Sequence, residues 1–148
     1  ILDRINRHIT LEQTENAFKL CKKVGIQVAC SFMLGMPGET REDLLASFKF
    51  AEKLDADWCQ FNIFIAYPDS KLYREMLQTN SYTSLDDFLL SVKTDEFDYN
   101  KLLTIQKQFF KDYHRAPKRI IKRIRREGVI NFAKRRLKLG AVDSAGMA

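Results

Sequence analysis

From Val28 to Thr40 the chain reads Val-Ala-Cys-Ser-Phe-Met-Leu-Gly-Met-Pro-Gly-Glu-Thr, and few chain paths suit that order. Up to Leu34 the run is apolar except for Ser31, the pattern of a parallel strand buried on both faces. Gly35 and Gly38 accept backbone angles that side chains resist, and Pro37 fixes its own φ, so a tight turn follows. Thr40 then suits a helix N-cap, with Asp43 at the capping-box position. Strand, Gly/Pro turn and capped helix make this the part of the chain best placed to face a ligand, because α/β folds bind ligands at the carboxyl ends of their strands.

The flanking sequence supplies a repeating context. Ile1–Ile5 reads as the end of a helix begun upstream. Thr10 and Gln13 have capping-box spacing. Leu11, Thr14, Ala17, Phe18, Cys21 and Val24 share one helical face, and Gly25 stops the helix. After Thr40, Leu44, Phe48 and Ala51, supported by Leu45, form an inner stripe that ends near Leu54. A short Asp55-Ala56-Asp57 loop leads to a second strand, Trp58 to Tyr67, on which Gln60 and Asn62 share a face. Pro68-Asp69-Ser70 turns the chain, and Ser70 caps a helix from Lys71 to about Leu77. Alternating helices and strands with short loops imply parallel strands with right-handed crossovers, hence an α/β fold.

Residues 79–97 read as an irregular connector. From Asp98, a helix cap, a helix presents Leu102, Ile105, Phe109 and Tyr113, with Leu103 and Phe110 widening the stripe. Pro117 breaks or kinks it. A basic helix continues to about Arg126, Gly128 interrupts, and Val129–Leu139 suits a last short helix before a frayed Gly140–Ala148 end. The expected organisation is therefore 1–78 α/β, 79–97 connector and 98–148 basic helical extension.

Composition narrows the class. No apolar run approaches the ~20 residues of a membrane span. The net charge of +6 is concentrated between Arg115 and Lys138, where Glu127 is the only acid. Such a stretch suits nucleic acid or an acidic partner, although the solvated face of a surface helix is the favoured reading. Cys21, Cys30 and Cys59 are far apart and lack metal or redox spacing, so they read as core thiols in a reducing compartment.

Together, "GIQVACSFMLGMPGET" and "DADWCQFNIFIAYPDSKLY", preceded by "LDRINRHIT", resemble the later strands of the radical S-adenosylmethionine (SAM) superfamily. The resemblance covers about residues 1–77. The downstream "KQFFKDYHRAPKRIIKRI" is similar to the C-terminal helices of the cobalamin-binding branch, which includes the anaerobic magnesium-protoporphyrin ester cyclase group. The resemblance implies a partial or full (β/α) barrel and a [4Fe–4S] cluster that reductively cleaves SAM to a 5′-deoxyadenosyl radical. It also implies cytoplasmic oxidoreductase or transferase chemistry on a small molecule, an electron donor such as flavodoxin or ferredoxin, and cobalamin as a further cofactor.

By the same resemblance, Arg7 pairs with the SAM carboxylate, a task suited to a guanidinium. Ser31 bonds the ribose, and Met33 and Gly35 pack against adenosine. Ile65, Ala66 and Tyr67 flank the adenine. Gln60 and Asn62 point toward substrate or SAM, with structural hydrogen bonding as the competing role. Glu39 supports the N-terminus of the next helix.

The three closely spaced cysteines that hold the family's cluster have no counterpart here. The chain is therefore expected to be the second half of a barrel with a C-terminal extension, inactive alone, and prone to self-association through open strand edges. Two other readings stand beside it. One is a tRNA-modifying relative, against which the helical, aromatic-poor basic stretch argues. The other is a non-catalytic interaction module on a degenerate barrel.

Overall fold

In a computed structural model of the chain, residues 8–129 and 131 are described. Expectations for Ile1–Ile5, Arg7 and Gly140–Ala148 lie outside them, as do those for Val129–Leu139 except at Val129 and Asn131. The chain divides into two compact units, Ile1–Lys111 and Asp112–Ala148.

In the first unit the element order is α1 (Leu11–Lys23), β1 (Ala29–Leu34), α2 (Arg41–Leu54), β2 (Trp58–Ile63), α3 (Lys71–Thr79), β3 (Tyr82–Ser84), β4 (Leu90–Val92) and the first turns of α4 (Tyr99–Arg115). The caps form where the sequence puts them. Thr10 with Gln13 and Thr40 with Asp43 close full capping boxes. Ser70 accepts from the Tyr73 N–H, and Asp98 accepts from the Lys101 N–H. Each cap satisfies amide groups that the first helical turn leaves without partners.

β1 and β2 pair in parallel, with Ser31 opposite Gln60 and Met33 opposite Asn62. One side of this sheet is packed. Phe32 stacks on Phe61 with ring centroids 5.8 Å apart, and Phe50 of α2 meets Phe32 edge-on. Phe48 lies against both Phe61 and Phe109. Leu34, Leu44, Ala51, Leu54 and Cys59 complete this core. The Phe64 N–H bonds the Leu34 carbonyl. Because N–H and C=O of one strand residue point the same way in a parallel pair, Phe61 must point away from β1. Its carbonyl accepts instead from the Gln106 amide of α4 at 2.7 Å, so α4 closes the outer edge of β2 at that point.

Burial on both faces is not what β1 shows. Ala29, Ser31 and Met33 are exposed, while Cys30, Phe32 and Leu34 face the core. The apolar run hid this alternation, because alanine and methionine occupy outward positions that a half-solvated strand usually gives to polar residues. The α1 stripe is also shallower than expected: no residue of α1 is fully buried, and Leu11 and Val24 are exposed. Lys22 ties α1 to the end of α2 by donating to the Leu54 carbonyl at 2.6 Å.

β2 stops at Ile63 rather than Tyr67, and residues 79–97 are not irregular throughout. Two residues past Phe64, Ala66 leaves the parallel ladder and exchanges backbone bonds with Leu90, at 2.8 and 3.2 Å. Leu90 opens β4, which pairs antiparallel with β3. Asp86 organises the hairpin loop by accepting from the Phe88 and Leu89 amides, both at 2.7 Å. Leu90, Ser91 and Val92 are all buried.

In the second unit Pro117 ends α4 and starts α5 (Pro117–Glu127) as its first helical residue, a position where its missing N–H costs nothing. Arg119 is buried, with its guanidinium 3.6 Å above the centroid of the Tyr113 ring. The Arg123 guanidinium lies 3.3 Å from His114 Nδ1. Part of the basic stretch is thus packed within its own unit and is not a wholly solvated face. Gly128 follows with φ +77°.

Candidate functional site

The carboxyl ends of β1 and β2 lie side by side, and their exposed sheet face carries Ser31, Met33, Gln60 and Asn62. Asn62 Nδ2 donates to Ser31 Oγ at 2.8 Å. The Ser31 hydroxyl, having accepted, keeps its own hydrogen to donate, and the Asn62 carbonyl keeps its lone pairs. One donor and one acceptor therefore sit together on an open surface, the complement a sugar hydroxyl requires. Met33 is half exposed beside them. Tyr67 is 64% exposed, and its carbonyl takes both the N–H and the hydroxyl of Ser70, at 3.3 and 2.8 Å. Ile65 is half-buried.

Two expected site residues have their backbones engaged elsewhere. Both backbone groups of Ala66 bond Leu90, and the residue is buried. Gly35 has φ +78°, and a Cβ built on it would lie 2.5 Å from Leu102 Cδ1 and 3.3 Å from Val92 Cγ1. Its glycine is required by the packing of α4 and β4 against the turn as well as by the backbone angle.

Glu39 does something the sequence reading missed. Thr40 and Asp43 already cap α2, so the Glu39 carboxylate reaches back across the turn. Its Oε2 accepts from the Gly35 N–H at 2.6 Å and the Met36 N–H at 3.0 Å, while the Glu39 N–H donates to the Met36 carbonyl at 2.9 Å. The side chain is buried, and Oε1 has no hydrogen-bond partner. Burial raises its pKa above the ordinary value; the two amide bonds oppose that, and the Asp43 charge reinforces it. Glu39 is a brace for the turn. The visible signal was an acid placed directly after Gly-x-Pro-Gly.

The three cysteines lie on three different elements, with Cys30 opposite Cys59 across the parallel pair. Cys59 is fully buried and Cys30 half-buried, both on the packed side of the sheet, and Cys21 lies on α1. Among the described residues no group of three cysteine, histidine or acidic side chains is arranged to hold a metal ion. No helix of the described residues is long and apolar enough to cross a membrane.

Comparison with known proteins gives this geometry a family. The profile of the Radical SAM superfamily matches residues 1–51. An uncharacterized methyltransferase of Pyrococcus horikoshii is 33% identical over 132 residues, covering 84% of this chain and 28% of that protein. The anaerobic magnesium-protoporphyrin IX monomethyl ester cyclase of Rubrivivax gelatinosus is 28% identical over 105 residues, covering 69% of this chain and 19% of the cyclase. The corresponding cyclase of Cereibacter sphaeroides is 24% identical over 75 residues, covering 51% of this chain and 12% of its own length. The chain thus spans little more than a quarter of the longest-matched relative. No solved structure matches the chain significantly. The strand–turn–helix of β1 and α2 falls largely inside the matched region, and these agreements identify the chain as a radical SAM superfamily sequence.

Proposed function

We propose that the chain supplies one wall of the SAM and substrate site of a radical SAM enzyme acting on a hydrophobic or tetrapyrrole-like small molecule. The observation that carries this reading is the Ser31–Asn62 pair on the open sheet face. In it, Ser31 and Asn62 offer a donor and an acceptor to the ribose. Met33 and Ile65 offer apolar contact to the adenine, and Tyr67 closes the rim. The Glu39 brace and the Leu102 contact hold Gly35 and Met36 in place, so the wall is pre-shaped rather than formed on binding. Gln60 faces the same side and is the residue left for substrate. Arg7, which pairs with the SAM carboxylate in this reading, lies outside the described residues.

A [4Fe–4S] cluster would supply the electron that cleaves SAM, and in this reading its ligands come from other sequence of the parent enzyme, because Cys21, Cys30 and Cys59 lack the close sequence spacing of the family's cysteine triad. In this reading β1 and β2 belong to a partial (β/α) barrel, and the parent enzyme uses cobalamin and a flavodoxin- or ferredoxin-type electron donor. Support for the substrate class comes from the two cyclase relatives, whose names specify a magnesium porphyrin ester.

Anaerobic reconstitution tests the division of labour. Incubated with iron, sulfide and reductant, this chain alone is expected to take up no stable cluster and to release no 5′-deoxyadenosine from SAM. A stable cluster with SAM cleavage would overturn the reading.

A further inference from the structure

We propose that α5 is a surface-docking helix that places the protein on an anionic lipid headgroup layer. Its eleven residues carry Lys118, Arg119, Lys122, Arg123, Arg125 and Arg126 against one acid, Glu127. At 100° per residue, Ile120, Ile121 and Ile124 fall on one arc, and the cations fill the adjoining one. The structure sorts those cations. Arg119 lies over Tyr113 and Arg123 beside His114, so this side of α5 is turned toward those two residues. Lys118 and Arg125, on the other side of the helix, are exposed, as is Arg126. Two aliphatic side chains stand among them: Ile121 is 50% exposed and Val129, just past the helix, 69%.

That mixture separates lipid from nucleic acid. α5 has no aromatic side chain to stack on a base; its arginines suit phosphate, base edges and lipid headgroups alike, so the exposed aliphatics decide between them. Exposed Ile121 and Val129 gain nothing against a phosphate backbone. A bilayer interface offers both needed surfaces at once, acyl chain for the aliphatics and anionic headgroup for the cations. The charge pattern continues in sequence, with no acid between Glu127 and Asp143. The attachment is peripheral, consistent with the lack of a membrane-crossing helix among the described residues.

Vesicle pelleting of the full chain tests this. Binding is expected to vesicles of phosphatidylcholine with phosphatidylserine, to weaken with added salt, and to be absent with phosphatidylcholine alone. Lys118→Gln/Arg125→Gln, which removes two exposed charges away from the core, is expected to lower binding roughly fivefold per charge, about 25-fold in all. Ile121→Asp, checked for helicity by circular dichroism, is expected to abolish binding. Equal pelleting with both vesicle types, no pelleting, or wild-type binding by the two-charge variant would overturn the proposal. So would displacement from vesicles by homopolymeric RNA that Ile121→Asp still binds, which would assign the face to nucleic acid.

Discussion

Phe61→Ala is expected to cost about 3–5 kcal/mol, the range for removing a large buried aromatic. Phe61 is 2% exposed, and its ring meets Phe32 of β1, Phe48 of α2 and Phe109 of α4. No neighbour can collapse into the gap without abandoning another ring, so relaxation should recover little. Small domains hold only about 5–15 kcal/mol in total, and the loss should show as a large fall in the urea midpoint. Phe110, 39% exposed and touching Trp58 edge-on, provides the contrast: its alanine variant should lose well under half as much. Equal losses would mean that the sheet-side aromatic cluster is not the principal core.

Gly35→Ala is expected to cost about 2–5 kcal/mol. Two penalties add: a side chain at φ +78°, worth about 1–2 kcal/mol, and a methyl group forced against Leu102, worth about 1–3 kcal/mol for overpacking. They separate in a double-mutant cycle. Leu102→Ala opens space for the new methyl, so the double variant should be more stable than the sum of the two single losses allows. The backbone share should remain. Strict additivity would show that Leu102 does not occupy the space beside Gly35.

The features legible in sequence were local ones. Thr10 with Gln13, Thr40 with Asp43, Ser70 and Asp98 all cap helices, because capping depends on residues three positions apart. The parallel pairing of β1 and β2 followed from short loops around a helix. What the chain hid depends on distant contacts. Tyr82–Ser84 and Leu90–Val92 are too short to show alternation; they are strands because they pair with each other, and Leu90 is further held by its bridge to Ala66. The same bridge ends β2 early. The exposed side of β1 was masked because Ala29 and Met33 are apolar yet face outward. Within the candidate site, the Ser31–Asn62 bond spans 31 positions and needed the register to appear. Glu39 is the exception: its partners Gly35 and Met36 are only four and three positions away, and it was misread as helix support because the shape of the Gly/Pro turn, not the spacing, points its carboxylate back.

If SAM is met by the open face of the β1–β2 sheet, a titration of this chain with SAM, followed residue by residue through amide and side-chain NMR signals, should shift Ser31, Met33, Asn62 and Tyr67 most, including the Asn62 side-chain amide, and shift them less in Ser31→Ala. No shifts at high SAM concentration, or shifts confined to the packed side around Cys59 and Phe61, would contradict it.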